Sequence, residues 1–199
     1  MFKIAAFVSG GGTNLQNIID GIEAGRLENV EIAAVISTNH HCKALARAEK
    51  YRIPNAVFAK KDFVSAKERE EALLSYLKHY DIHLAVMCGC LMIFSAEFIS
   101  NFGYPIINIH PALLPEFGGR GYYGLAVHEA VLAAGKEVSG ATVHYIDGGI
   151  DTGEIIMQKE VLVKKDDTAE SLQRRVMEEA ESQILIEAIS IFAERRLNL

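Results

Sequence analysis

The chain has 199 residues, half of them apolar and 23% charged, with a formal net charge of −6. That is enough for one well-buried domain, short for two, and outside the disordered and fibrous classes. Neither the totals nor any local run carries the basic footprint of a nucleic-acid binder.

Taken in chain order, Phe2 to Val8 is a compact apolar run suited to a strand buried on both faces. It reaches Ser9-Gly10-Gly11-Gly12 too early for a secretory signal, and no apolar stretch attains the ~18–20 residues that span a bilayer. A soluble, cytoplasmic protein with no membrane partner is expected. Asn14 to Ala24 reads as a helix with Leu15, Ile18, Ile19 and Ile22 on one stripe. Val30 to Ile36 is a second strand, Cys42 to Lys50 a second helix, and Ala56 to Phe58 a short third strand after Pro54. A long helix follows from about Asp62 to Tyr80, with Ala66, Leu73, Leu77 and Tyr80 facing inward. Ile82 to Met87 and Pro105 to Ile109 are the fourth and fifth strands.

This β-α-β-α order predicts an α/β fold with a mostly parallel twisted sheet and helices on both faces. Ligands of such sheets gather at the carboxyl ends of the strands, here the loops after Val8, Met87 and Ile109. In the second half, Ala141 to Ile146 and Ile155 to Val163 are strand-like and joined by the glycine-rich stretch Asp147 to Gly153. A last helix begins near Asp167, where Asp167 and Glu170 have capping-box spacing. Leu172, Val176, Ala180, Ile184, Ala188 and Phe192 form its core stripe. No repeat or linker interrupts the chain, so a single domain over 1–199 is expected.

The three cysteines, Cys42, Cys88 and Cys90, cannot all pair within the chain and fit a reducing compartment. Cys88 and Cys90, read as strand residues, would share a face, but no second pair or histidine cluster completes a metal site. His40-His41-Cys42 reads as a surface loop. No metal is expected.

Three stretches carry chemistry. Ser9-Gly-Gly-Gly-Thr-Asn14 lies between a strand and a helix, where glycine backbone N–H groups and a helix N-terminus suit a phosphate. The dinucleotide fingerprint fails, because Leu15 stands at its third glycine and Ser37-Thr38-Asn39 where its acid belongs. The Walker pattern fails for want of Gly-Lys-Ser/Thr. In Asn108-Ile-His-Pro-Ala-Leu-Leu-Pro115, Asn108 and His110 share one strand face, ~6.5–7 Å apart, and Pro111 ends the strand. An amide donor and a proton carrier thus stand together at the ligand edge. Asp151, in the glycine-rich loop, supplies a carboxylate able to orient the histidine, although an ordinary turn aspartate is the competing reading there.

Together with Gly140-Ala-Thr-Val-His-Tyr-Ile146, these stretches resemble the folate-dependent phosphoribosylglycinamide formyltransferases over nearly the whole chain and in the same order. The resemblance implies a Rossmann-like, mixed sheet of about seven strands. It implies 10-formyltetrahydrofolate as co-substrate and 5-phosphoribosylglycinamide as acceptor, in purine biosynthesis. By the same resemblance Gly12, Thr13 and Asn14 hold the substrate phosphate. Asn108 donates to the formyl oxygen, His110 is the catalytic acid, and Asp151 raises its basicity. Leu91, Met92, Ile93 and Phe94 line the pterin pocket, and Lys67 reaches the folate. Only small-molecule partners are implied, with a monomer or homodimer as the assembly.

The chain departs from the family pattern in three places. Cys90-Leu91-Met92-Ile93 lacks the arginine common among relatives, Phe117 to Gly124 differs from the usual loop, and a substrate-binding glutamate is expected near Ala180. Methionyl-tRNA formyl transfer and formyl-folate hydrolysis would each call for an additional domain. A non-catalytic nucleotide-binding module would have no use for His110 beside Asn108.

Overall fold

The structure, a computed structural model, describes residues 1–197. Seven strands form one sheet: β1 (Phe2–Val8), β2 (Val30–Ser37), β3 (Asn55–Val57), β4 (Leu84–Met87), β5 (Ile106–His110), β6 (Val138–Tyr145) and β7 (Ile155–Leu162). Their order is β3-β2-β1-β4-β5-β6-β7. β1 is parallel to β2 and β4, β2 is parallel to β3, and β7 is antiparallel to β6. This is the mostly parallel sheet, mixed at one side, that the sequence predicts. The chain divides into two compact units, one of Met1–Ile107 with the chain from Ile189 on, the other of Asn108–Ala188.

In the first unit, Ile4, Ala5, Ala6, Phe7 and Val8 of β1 are wholly buried, as a strand flanked by two others requires. α1 (Thr13–Glu23) buries Leu15, Ile18 and Ile19, while Ile22 at the edge of the stripe is only half-buried. α2 is Ala44–Lys50. The helix predicted from 62 begins later, as α3 (Ala66–Leu77), because Ser65 caps it by accepting the Glu68 N–H at 3.1 Å. The predicted inward face shifts accordingly: Leu73 and Leu77 are buried, and Ala66 in the first turn is exposed.

Cys88 and Cys90 lie beyond the end of β4, and Gly89 between them has a left-handed φ of 67°, so they are not a strand pair. Burial pushes both thiols up from the ordinary cysteine range. Next comes a helix the sequence periodicity does not show, α4 (Ala96–Phe102). Ser95 caps it by accepting the Phe98 N–H, and the buried Glu70 carboxylate accepts the Ser95 N–H (2.8 Å) and hydroxyl (2.5 Å). Phe98 stacks on Phe94, with ring centroids 4.4 Å apart.

The second unit holds α5 (Leu125–Ala133), β6, β7 and α6 (Ala169–Val176). α5 is also missed by periodicity, because its nine residues LAVHEAVLA are apolar almost all round. The cap of α6 is Thr168 rather than Asp167: the Thr168 hydroxyl accepts the Ser171 N–H and the Ser171 hydroxyl accepts the Thr168 N–H. Asp167 instead accepts two bonds from Arg175, at 2.6 and 2.5 Å, and the Lys164 N–H at 2.7 Å.

A π-helical turn, Met177–Glu181, separates α6 from α7 (Ser182–Leu197). Residues four apart drift by about 40° per step around an α-helix. The wider π turn takes up part of that drift, so Leu172, Val176, Ala180, Ile184 and Ala188 all stay buried.

The Asp167–Arg175 pair yields a test. The guanidinium holds the Asp167 carboxyl well below the usual carboxylate range, so its contribution is present at neutral pH and lost as the pH falls through that range. Asp167→Ala should lower the unfolding free energy at pH 7 by roughly 1–3 kcal/mol in urea titrations. It should also flatten the acid side of the stability curve, and an unchanged midpoint would count against this role.

Candidate active site

β5 places Ile106, Ile107 and Ile109 in the core and leaves Asn108 and His110 on one face, as strand alternation dictates. His110 is buried, and its Nε2–H donates to the Phe117 carbonyl at 2.8 Å. Its Nδ1 faces Asp151 Oδ2 at 3.6 Å. Asp151 Oδ2 also accepts the Gly119 N–H at 3.0 Å, and Oδ1 lies 3.5 Å from His144 Nε2. His144, on β6, donates Nδ1–H to the Tyr145 carbonyl at 2.9 Å, which leaves Nε2 to accept from Asn108 Nδ2 at 3.1 Å. The acceptors on these bonds assign the tautomers of both histidines. Asn108, His144, Asp151 and His110 thereby form one connected set within the second unit.

The backbone that carries the set is itself fixed. After Pro111, the Thr142 hydroxyl donates to the Ala112 carbonyl and accepts the Leu114 N–H, and Gln158 donates to the Leu114 carbonyl. Asp151 sits at a left-handed φ of 57°. Gly153, two residues on, passes so close to β6 that a Cβ there would stand 1.8 Å from the Tyr145 carbonyl oxygen. Asp147 is the ordinary turn aspartate, accepting from the Gly149 N–H and the Thr152 hydroxyl.

Burial lowers the pKa of His110 below the ordinary histidine value, and the Asp151 carboxylate opposes this without overcoming it. The expectation that Asp151 raises the basicity of His110 is right in sign for that one interaction and outweighed by desolvation. Burial of Asp151 itself would raise its pKa, but contacts from His144, Gly119 and His110 hold it below the usual value. At neutral pH the set is therefore a neutral His110 facing an anionic Asp151.

In the first unit, the glycine loop follows β1. Gly12 has a left-handed φ of 76° and its carbonyl accepts the Gln16 N–H in the first turn of α1, a helix start with no side-chain cap. Gly10 and Gly11 are exposed, and a Cβ on either would meet nothing within 4 Å. The Ser9 hydroxyl accepts the Leu91 N–H at 3.2 Å, which brings the chain after β4 beside this loop.

Of the residues expected to line a pterin pocket, Leu91 (65%) and Ile93 (54%) are exposed, whereas Met92 and Phe94 are buried. Phe94 packs edge-on against Phe7 and stacks on Phe98, so its side chain is core. Lys67, in the first turn of α3, is 3.6 Å from the Glu97 carboxylate, and both are exposed. Near Ala180, which is core, Glu179 is exposed and Glu181 is buried in the π turn. Among the described residues no group of three His, Cys, Asp or Glu side chains is placed to hold a metal ion. No helix among them is long and apolar enough to cross a membrane.

Sequence reasoning leaves His144, the Phe117 carbonyl and the Gly119 N–H out of the site. Its signals for His144 are a polar residue in the buried strand β6 and a place in the stretch Gly140 to Ile146 that carries the resemblance. It also passes over His128, on α5, which is wholly buried with neither ring nitrogen hydrogen-bonded. Burial, and secondarily the charge of His110, lower the His128 pKa to about 4. The unfolded chain then binds a proton that the folded chain refuses between about pH 6.5 and 4. Stability should fall as the pH drops through that window, by at most about 1.4 kcal/mol per pH unit from this one group. His128→Leu should remove that one-proton slope in urea titrations from pH 4 to 7. A slope identical to wild type would contradict the assignment.

Comparison with known proteins bears on the whole arrangement. The model of the family described as formyl transferase matches residues 2–189, which covers most of both units. A phosphoribosylglycinamide formyltransferase of Haemophilus influenzae is 38% identical over 199 residues, covering 100% of this chain and 91% of that protein. The chloroplastic protein of that name from Vigna unguiculata is 36% identical over 98% of this chain, which spans only 62% of its length. The crystal structure of glycinamide ribonucleotide transformylase 1 from Symbiobacterium toebii superposes with a TM-score of 0.89 at 36% identity, covering 98% of this chain and 89% of that one. With a family model spanning nearly its full length and relatives of this identity, the chain belongs to the formyl transferase family.

Proposed function

We propose that this chain transfers the formyl group of 10-formyltetrahydrofolate to the amine of 5-phosphoribosylglycinamide, as the names of its relatives suggest, acting as one cytoplasmic domain on small-molecule substrates. The observation that carries the reading is His110, whose Nε2–H already donates to a carbonyl oxygen while its other nitrogen faces an anionic carboxylate. A formyl oxygen is the same kind of acceptor as the Phe117 carbonyl.

The acceptor amine attacks the formyl carbon as the free base, and the carbonyl oxygen takes up negative charge. The second N–H of the Asn108 amide, the one not given to His144, donates to that oxyanion, and so does His110 Nε2–H once the formyl oxygen takes the place of the Phe117 carbonyl as its acceptor. The amine's proton is received at the Asp151–His110 pair and passed to the folate nitrogen as the carbon–nitrogen bond to folate breaks. Gly12, Thr13 and Asn14 hold the acceptor phosphate through backbone N–H groups at the start of α1. Leu91 and Ile93 offer exposed apolar surface to the pterin, Met92 and Phe94 back them from the core, and Lys67 pairs with a folate carboxylate.

Mixing the protein with both substrates tests the reading: deformylated folate should appear only when glycinamide ribonucleotide is present. Folate release without acceptor would favour hydrolysis, and formylation of methionyl-tRNA would favour the tRNA reading. His110→Ala and Asn108→Ala should each cut kcat by ~10² or more with little change in folding, because each removes a donor used mainly in the transition state. Near-native turnover in either folded variant would defeat the mechanism.

Asp151→Asn withdraws the charge that favours protonated His110, so the acidic limb of the kcat/KM profile should move to lower pH. An unmoved limb would uncouple the two residues. Gly12 is a poor probe of the phosphate, since a Cβ there would meet the Ala44 Cβ at 2.6 Å and disturb packing first. Gly11→Val, which enters open space, should raise KM for the acceptor well above any change for folate. Equal losses for both substrates would argue against phosphate binding at the loop.

A further inference from the structure

The glycine loop is gripped by the segment that leads into and forms α2. The Ala44 N–H and the Cys42 thiol both donate to the Gly10 carbonyl, each at 3.1 Å, and Arg47 Nε donates to the Gly11 carbonyl at 3.0 Å. In a trans peptide the carbonyl and the following N–H point in opposite directions. With both carbonyls drawn toward α2, the N–H groups of Gly11 and Gly12 are turned away from it, giving the paired donors of an anion-binding nest.

Arg47 does more than close a turn. Its Cδ would lie 3.4 Å from a Cβ on Gly12, so its stem packs on the loop, and its Nη1 donates to Gln16 Oε1 at 2.8 Å in the first turn of α1. Gln16 is in turn held by Asp20 and Tyr51. No ion pair among the described residues includes Arg47. An unpaired guanidinium thus stands beside an uncapped helix start and a row of outward N–H groups, and both favour an anion.

We propose that Arg47 is a positioning residue for the acceptor's phosphate, fixing the Gly11–Gly12 peptide with its N–H toward the anion and adding a positive charge at the cradle. This rests on the phosphate reading of the glycine loop. Arg47 acts through the loop and takes no part in the transfer step, so its loss should separate binding of one substrate from everything else.

The test compares wild type, Arg47→Met, Arg47→Lys and the surface control Lys50→Met. For each, kcat/KM is measured with the phosphorylated acceptor and with its dephosphorylated riboside, alongside KM for the folate. Inhibition by inorganic phosphate is measured in parallel. Arg47→Met should lower the preference for the phosphorylated acceptor tenfold or more and weaken phosphate inhibition to a similar degree, the scale of a lost charged hydrogen bond. Folate KM and kcat should stay within about twofold, and Lys50→Met should match wild type.

Arg47→Lys keeps the charge but not the fork, so it should lose part of the preference, and it decides the matter if Arg47→Met does not fold. An unchanged preference in a folded Arg47 variant, or acceptor and folate KM rising together, would overturn the proposal while leaving the phosphate reading intact. A wild-type enzyme that does not prefer the phosphorylated acceptor would remove both.

Discussion

A carboxylate that is only 12% exposed must have its charge answered, and at Asp151 the direct answer is one backbone hydrogen bond, with two imidazole rings close by. Gly119 gives it an N–H, His110 and His144 stand at 3.6 and 3.5 Å, and the left-handed φ of 57° at Asp151 aims the side chain inward. Removing that charge would leave the desolvation of His110 opposed only by its bond to the Phe117 carbonyl, and would weaken the hold on the Gly119 N–H. The orientation of Asn108 follows from the same set, since its amide is held by His144, whose tautomer is fixed by the Tyr145 carbonyl. Acid strength, loop position and donor direction in the second unit therefore share one constraint.

The glycine loop of the first unit obeys a parallel rule with backbone atoms. Although Gly10 and Gly11 are exposed, their carbonyls are not left to water, and the donors to both come from the Cys42–Arg47 segment. The free N–H groups are a consequence of where the carbonyls are spent. Gly12 is required because its φ of 76° and the nearby Ala44 leave no room for a side chain. The loop's conformation thus comes from its neighbours as much as from its own glycines.

Much of this was legible in the sequence, for identifiable reasons. Long apolar runs and four-residue stripes gave the strands and most helices, because burial on both faces or along one stripe leaves a local pattern. Asn108 and His110 stood out because strand alternation and Pro111 are local too. The short helices α4 and α5 were hidden: one is only seven residues, the other apolar almost all round, and neither has a readable period. Thr168 displaced Asp167 as a cap because Arg175, eight residues on, claims the carboxylate. His144, the Phe117 carbonyl and Arg47 acquire their meaning only from partners far along the chain, which no spacing rule reaches. The sign of the net shift at His110 was equally out of reach, because it depends on how deeply the ring is buried.

The protonation state of His110 is the point where fold and chemistry meet. Long-range ¹H–¹⁵N correlation spectra of the imidazole ring, assigned by comparison with His110→Ala and followed through a pH titration, report it directly. At pH 7 the ring should be neutral with its proton on Nε2, and it should become an imidazolium only below the ordinary histidine value of about 6.5. A His110 that is cationic at pH 7, or neutral with the proton on Nδ1, would contradict the account.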